Sequence, residues 1–76
     1  MKAFVLIKIR TGDVREVVQQ LRTTSLITEA YMTFGPYDAV AVVDASDLGA
    51  IGYLVASIIQ PIEGVEQTLT CLAADT

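Results

Sequence analysis

Hydrophobic and polar positions change period several times along the chain. Residues 3–9, AFVLIKI, form an apolar run rich in β-branched types with a single lysine in it. Such a run predicts a strand buried on both faces. After Thr11-Gly12-Asp13 the period lengthens. Val14, Val17, Val18 and Leu21 fall at i, i+3, i+4 and i+7, one stripe of a helix over residues 14–23. Arg15, Gln19 and Arg22 take its wet side, and Asp13 and Glu16 have the spacing of a capping box. Residues 27–34, ITEAYMTF, predict a second strand. Gly35-Pro36-Tyr37-Asp38 predicts a turn, and residues 39–45, AVAVVDA, a third strand hairpinned onto the second. Ser46 is a good N-cap for a helix over residues 47–59, traced by Leu48, Ile51, Leu54, Val55, Ile58 and Ile59 and stopped by Pro61. Glu63-Gly64 then turns into a last strand over residues 65–73, VEQTLTCLA.

The order is βαββαβ. Two βα units around a hairpin make the split βαβ arrangement. The predicted fold class is therefore α+β, ferredoxin-like: one four-stranded antiparallel sheet with two helices on one face, residues 1–76 forming a single domain.

Two helices leave one sheet face without cover, and a solvated face should be polar at alternate positions. Here it is not. Phe4 and Leu6 alternate with Ala3, Val5, Ile7 and Ile9, and Val40 and Val42 alternate with Ala39, Ala41 and Val43. A patch of roughly 500 Å², at about 25 cal/mol per Å², would contribute about 12 kcal/mol on burial before association costs. Face-to-face pairing of two copies is the expected solution, giving a dimeric α-β sandwich. The second helix is also unusual. From Leu48 to Ile59 it carries no charge, and Gly49, Gly52, Tyr53, Ala56 and Ser57 fall on its outer side. Small residues there imply close approach of a neighbouring subunit or of the sheet.

Composition narrows the chemistry. The 76 residues contain no His and no Trp and one Cys, Cys71. A His base, a His-ligated metal, a His-dependent triad and an internal disulfide are excluded. Cys71 reads as a small buried hydrophobe, and Glu63 and Glu66 as solvated. No catalytic residue, metal site or cofactor is expected. All five basic residues lie in the first 22 positions, where two acids leave a net of +3, and the rest of the chain holds seven acids and no base. Those bases are spread over a strand and a helix without aromatic interleaving, which argues against direct nucleic-acid binding. The longest apolar stretch, Leu48–Ile62, is broken by Gly49, Gly52, Ser57, Gln60 and Pro61 and is too short to span a bilayer. With no signal-peptide pattern, a cytoplasmic location is expected.

The strand–turn–strand TFGPYDAVAVVDASD and the segment PIEGVEQTLT, in this βαββαβ order, resemble the effector-binding domain of the Lrp/AsnC transcriptional regulators, often called the RAM domain for regulation of amino-acid metabolism. The resemblance covers essentially the whole chain. Gly35-x-Tyr37-Asp38 is its most specific piece, supported by Gly64-Val65 and Thr68-x-Thr70. The helix-turn-helix of the family's regulators has no counterpart, so the likeness is to members that keep the sensor module alone. It implies dimers through sheet packing, assembled further into octamer-like rings. It also implies a small effector, usually an amino acid, at the contact between dimers, and mixed assembly with a full-length regulator as the natural partnership. Carried over by position, the ligand-binding residues are Gly35, Tyr37 and Asp38, with Thr33 and Phe34 flanking them and Thr68 and Thr70 as the polar pair of the last strand.

The residues themselves admit this chemistry and a plainer one. Asp38 can accept from an ammonium group, amides around Gly35 can donate to a carboxylate, and Tyr37 offers a ring wall and a hydroxyl. The same four residues also make an ordinary hairpin turn in which Asp38 bonds its own backbone. Thr68 and Thr70 read equally well as plain strand residues. The competing functions are an ACT-like regulatory domain, which shares the element order, a ligand-free structural oligomer, and a small ferredoxin-like enzyme. For the enzyme, Arg10-Thr11-Gly12 lacks the rest of a phosphate loop.

Overall fold

The structure, a computed structural model, describes residues 1–75. The elements follow the expected order: β1 (Lys2–Ile9), α1 (Val14–Arg22), β2 (Ile27–Met32), β3 (Ala39–Asp44), α2 (Leu48–Tyr53), a π-helical continuation (Leu54–Ile59) and β4 (Val65–Leu72). The strands form one antiparallel sheet in the order β2-β3-β1-β4, with β1 paired to both β3 and β4. This is the ferredoxin-like α+β arrangement, with the helices packed on one sheet face.

Alternation along β1 divides it cleanly. Ala3, Val5, Ile7 and Ile9 are buried toward the helices, while Phe4 is exposed and Leu6 and Lys8 are half-buried on the other side. On the helix side, Ala39, Ala41 and Val43 of β3 meet Val17, Val18 and Leu21 of α1 in the core. Ile51, Leu54 and Ile59 close the same core from the second helix. Alanines at the sheet centre let the helices sit close. Each buried Val, Leu or Ile contributes about 1.5–3 kcal/mol over its exposed state. The core ends as tightly as it is packed. At Gly64 the backbone is left-handed, with φ +100°, and an added Cβ would lie 2.9 Å from the Asp13 side chain. The Arg10 N–H donates to the Gly64 carbonyl at 2.7 Å, tying the start of β4 to the approach to α1.

Several local expectations are corrected. Strand β2 stops at Met32, so Thr33 and Phe34 belong to the turn. Ser46 does not cap the second helix. Asp47 does, its Oδ1 accepting from the Ala50 N–H at 2.8 Å. Asp13 makes no capping bond, because its carboxylate is held by Arg10, whose Nε donates to Oδ2 at 2.6 Å. The second helix widens to π geometry at Leu54, with the Gln60 N–H donating to the Val55 carbonyl at 2.9 Å before Pro61 ends it. Leu54 and Ile59 are buried, while Leu48 at the start of α2 and Ile58 are exposed. Gly52 has nothing within 4 Å of the place a Cβ would occupy, so the sheet does not account for its small size. Cys71 is exposed: it lies on the uncovered sheet face, opposite Phe4.

Candidate functional site

The β2–β3 turn is held by four hydrogen bonds. The Thr33 N–H donates to the Asp38 carbonyl at 3.0 Å, and the Thr33 hydroxyl to the Tyr37 carbonyl at 2.8 Å. The Asp38 N–H donates to the Ile7 carbonyl at 2.9 Å, and Asp38 Oδ2 accepts the Ile9 N–H at 2.8 Å. Strand β1 runs past the end of its pairing with β3, which stops at Ile7 opposite Ala39. The Asp38 carboxylate stands in for the missing strand and satisfies the next amide of β1. Its backbone bond is therefore to a neighbouring strand, and Oδ1 is left without a protein partner among the described residues. Gly35, at φ +148°, provides the reversal.

This fixed turn forms one wall of a half-open pocket of about 530 Å³, lined by Val14, Arg15, Met32, Thr33, Phe34 and Asp38. Such a volume suits a small molecule. Thr33, Phe34 and Asp38 lie together on this pocket, with Phe34 fully exposed at the rim. Gly35 and Tyr37 shape the turn but do not line the pocket. Thr68 and Thr70 lie on β4, beyond β1, with Thr68 paired opposite Ile7 and Thr70 opposite Val5. Two strand spacings, about 10 Å, separate them from β3. Thr68 Oγ1 accepts from Gln60 Nε2 at 3.0 Å. Sequence reading missed Val14, Arg15 and Met32. The helical period put Arg15 on the wet side of α1, but it could not show that the first turn of α1 faces the β2–β3 turn.

A second, smaller hollow of about 270 Å³ lies between the α1–β2 connection and the second helix, lined by Thr24, Ser25, Leu26, Tyr53, Leu54 and Ile58. Leu26 holds a left-handed φ of 76° there.

The uncovered sheet face has its own order. Cross-strand register aligns Tyr31, Val40, Leu6 and Leu69 in one row and Glu29, Val42, Phe4 and Cys71 in the next. Lys8 and Gln67 flank the rows at one end, and Lys2 and Asp44 at the other. The result is an apolar centre rimmed by charge, the anatomy of a protein interface. The Tyr31 hydroxyl donates to Glu29 Oε1, and this bond raises the tyrosine pKa above its ordinary value. Among the described residues no helix is long and apolar enough to cross a membrane.

Comparison with known proteins agrees with this architecture. The HTH-type transcriptional regulator FL11 of Pyrococcus horikoshii is 33% identical over 76 residues, covering 100% of this chain and 50% of the regulator. The chain thus spans about half the length of the curated relatives it matches. TTHA0845 of Thermus thermophilus superposes with a TM-score of 0.94 at 36% identity, over 99% of this chain and 94% of that one. The transcriptional regulator NMB0573 of Neisseria meningitidis, solved as an L-Met complex, shares the fold with a TM-score of 0.87 at 20% identity, over 97% of this chain and 49% of that one. The family model described as the Lrp/AsnC ligand binding domain matches residues 2–76, and the chain belongs to that family.

Proposed function

We propose that this domain is a sensor that binds a small effector, an amino acid, at subunit interfaces and couples its binding to assembly and so to transcriptional regulation of amino-acid metabolism. The observation that carries this reading is the pocket against the β2–β3 turn, where Asp38, fixed by the Ile9 amide, keeps one carboxylate oxygen for an ammonium group. The L-Met complex of the Neisseria relative supports the ligand class. Pairing through the apolar sheet face makes the dimer. Further contacts make a ring, in which Thr68 and Thr70 of another copy approach the Thr33–Asp38 turn, and Gly35 and Tyr37 hold its shape. A full-length regulator of the family joins through the same surfaces. An effector seated across a contact shifts assembly by as much as it favours one state.

Light scattering and thermal melting of the purified chain against each of the common amino acids test the proposal. A rise in mass or melting temperature with particular amino acids is expected. Unchanged values across the panel reject it.

A further inference from the structure

A cationic and an anionic side chain, Arg15 and Asp38, line the same pocket from different elements. Three arginines lie close together in the first part of the chain, and two are engaged. Arg10 pairs with Asp13 and Glu63, and Arg22 Nε donates to the Ala30 carbonyl at 2.9 Å. Arg15 makes no hydrogen bond or ion pair among the described residues, yet it lines the pocket from the α1 wall while Asp38 lines it from the turn wall. Asp38 is immobilised by the Ile9 amide and Thr33 by its two bonds across the turn. The anionic side is therefore preorganised, and the cationic side is a planar donor fork suited to a carboxylate. The remaining lining, Val14, Met32 and Phe34, is apolar.

We infer that Arg15 binds the effector's carboxylate while Asp38 takes its ammonium, and that Val14, Met32 and Phe34 select an apolar side chain between them. The inference rests on the effector reading above. It moves the carboxylate contact from the turn amides near Gly35, which the pocket does not include, to a side chain on α1. A ligand held at both ends must be a zwitterion. An amine without the carboxylate engages Asp38 only, and charged amino-acid side chains meet a wall with nothing to pair them.

The test is calorimetric titration of the full chain with leucine, methionine, phenylalanine, aspartate and lysine, and with isoamylamine as the descarboxy probe. Arg15→Gln, Arg15→Lys and Asp38→Asn are measured alongside. Arg15 is exposed, so circular dichroism should be unchanged in its variants. Loss of one charge-assisted contact should weaken the apolar amino acids at least about tenfold in Arg15→Gln, with partial recovery in Arg15→Lys. Isoamylamine should bind wild type and Arg15→Gln alike. If an apolar amino acid binds Arg15→Gln as tightly as wild type and is lost only in Asp38→Asn, the carboxylate role of Arg15 is wrong and the effector reading stands. Tighter binding of aspartate or lysine overturns the apolar selection. If no amino acid binds the wild type, both readings fall together.

Discussion

The two faces of the sheet are made by the same four strands and differ in what meets them. Toward the helices, Val5 and Ile7 of β1 are completely buried against α1 and the second helix. On the reverse, their neighbours Phe4 and Leu69 remain 37% and 46% exposed, although they are no more polar. Hydrophobicity alone thus does not say which residues build the monomer. The helix-side residues stabilise the folded chain whatever its concentration. Under the proposed pairing, those on the reverse contribute only where a second copy is present.

Substituting across this divide separates the two roles. The largest effect is expected from Leu6→Lys. It places a charge in the middle of the uncovered face in both copies of a dimer. Losing two apolar side chains from the contact costs about 4 kcal/mol of association. Sedimentation at micromolar concentration should find a folded monomer in place of the wild-type dimer. Wild type sedimenting as a monomer would remove the contrast altogether. Ile7→Ala, one residue away on the other face, should cost about 3 kcal/mol of intrinsic stability through the cavity it leaves. For so short a chain that is a fall in melting temperature on the order of 15 °C, present at every protein concentration.

Gly64→Ala examines how tightly the helix side closes at its end. A left-handed φ and a 2.9 Å contact with Asp13 are both violated by a methyl group, and about 2 kcal/mol should be lost in chemical denaturation. Removing Asp13's side chain as well (Asp13→Gly) should return the steric part and leave the conformational part. The smallest effect concerns the uncovered face. Tyr31 donates to Glu29, which raises the phenol pKa. A raised folded-state value means that the pairing is present below the unfolded tyrosine range, about pH 10, and is lost as pH climbs through the folded value. Near-ultraviolet titration should show the phenol ionising at lower pH in Glu29→Gln. An unshifted midpoint would show that the pair does not persist in solution.

Much of the fold could be read from local patterns because each element carries its own signal. The 3.6-residue stripe of Val14, Val17, Val18 and Leu21 and the apolar run of β1 depend on neighbours in the chain, and both elements appear where expected, although the run read as buried on both faces leaves Phe4 exposed. Errors collect where several groups compete for one partner. Asp13 had the spacing to cap α1, but Arg10 holds its carboxylate. Ser46 had the chemistry of an N-cap, but Asp47 occupies the position. Cys71 has the composition of a core residue, but it stands at a strand position whose parity points away from the helices. The π-helical turn had no local marker beyond Pro61.

The candidate site divides the same way. Thr33, Phe34 and Asp38 are consecutive or nearly so, and the turn that gathers them is written in Gly35-Pro36. Arg15 and Val14 are distant in sequence and reach the pocket only through the packing of α1 over β2 and β3.

By itself, the order of residues determined the alternation of strands and helices, the apolar excess on both sheet faces and the family likeness of the turn, because these follow from nearest-neighbour sterics and periodicity. Which carboxylate bonds which amide, which face finds cover and which arginine is left unpaired at the pocket were decided only when the chain closed. Each is the outcome of a competition among groups far apart in sequence, and only the packed arrangement brings the competitors together.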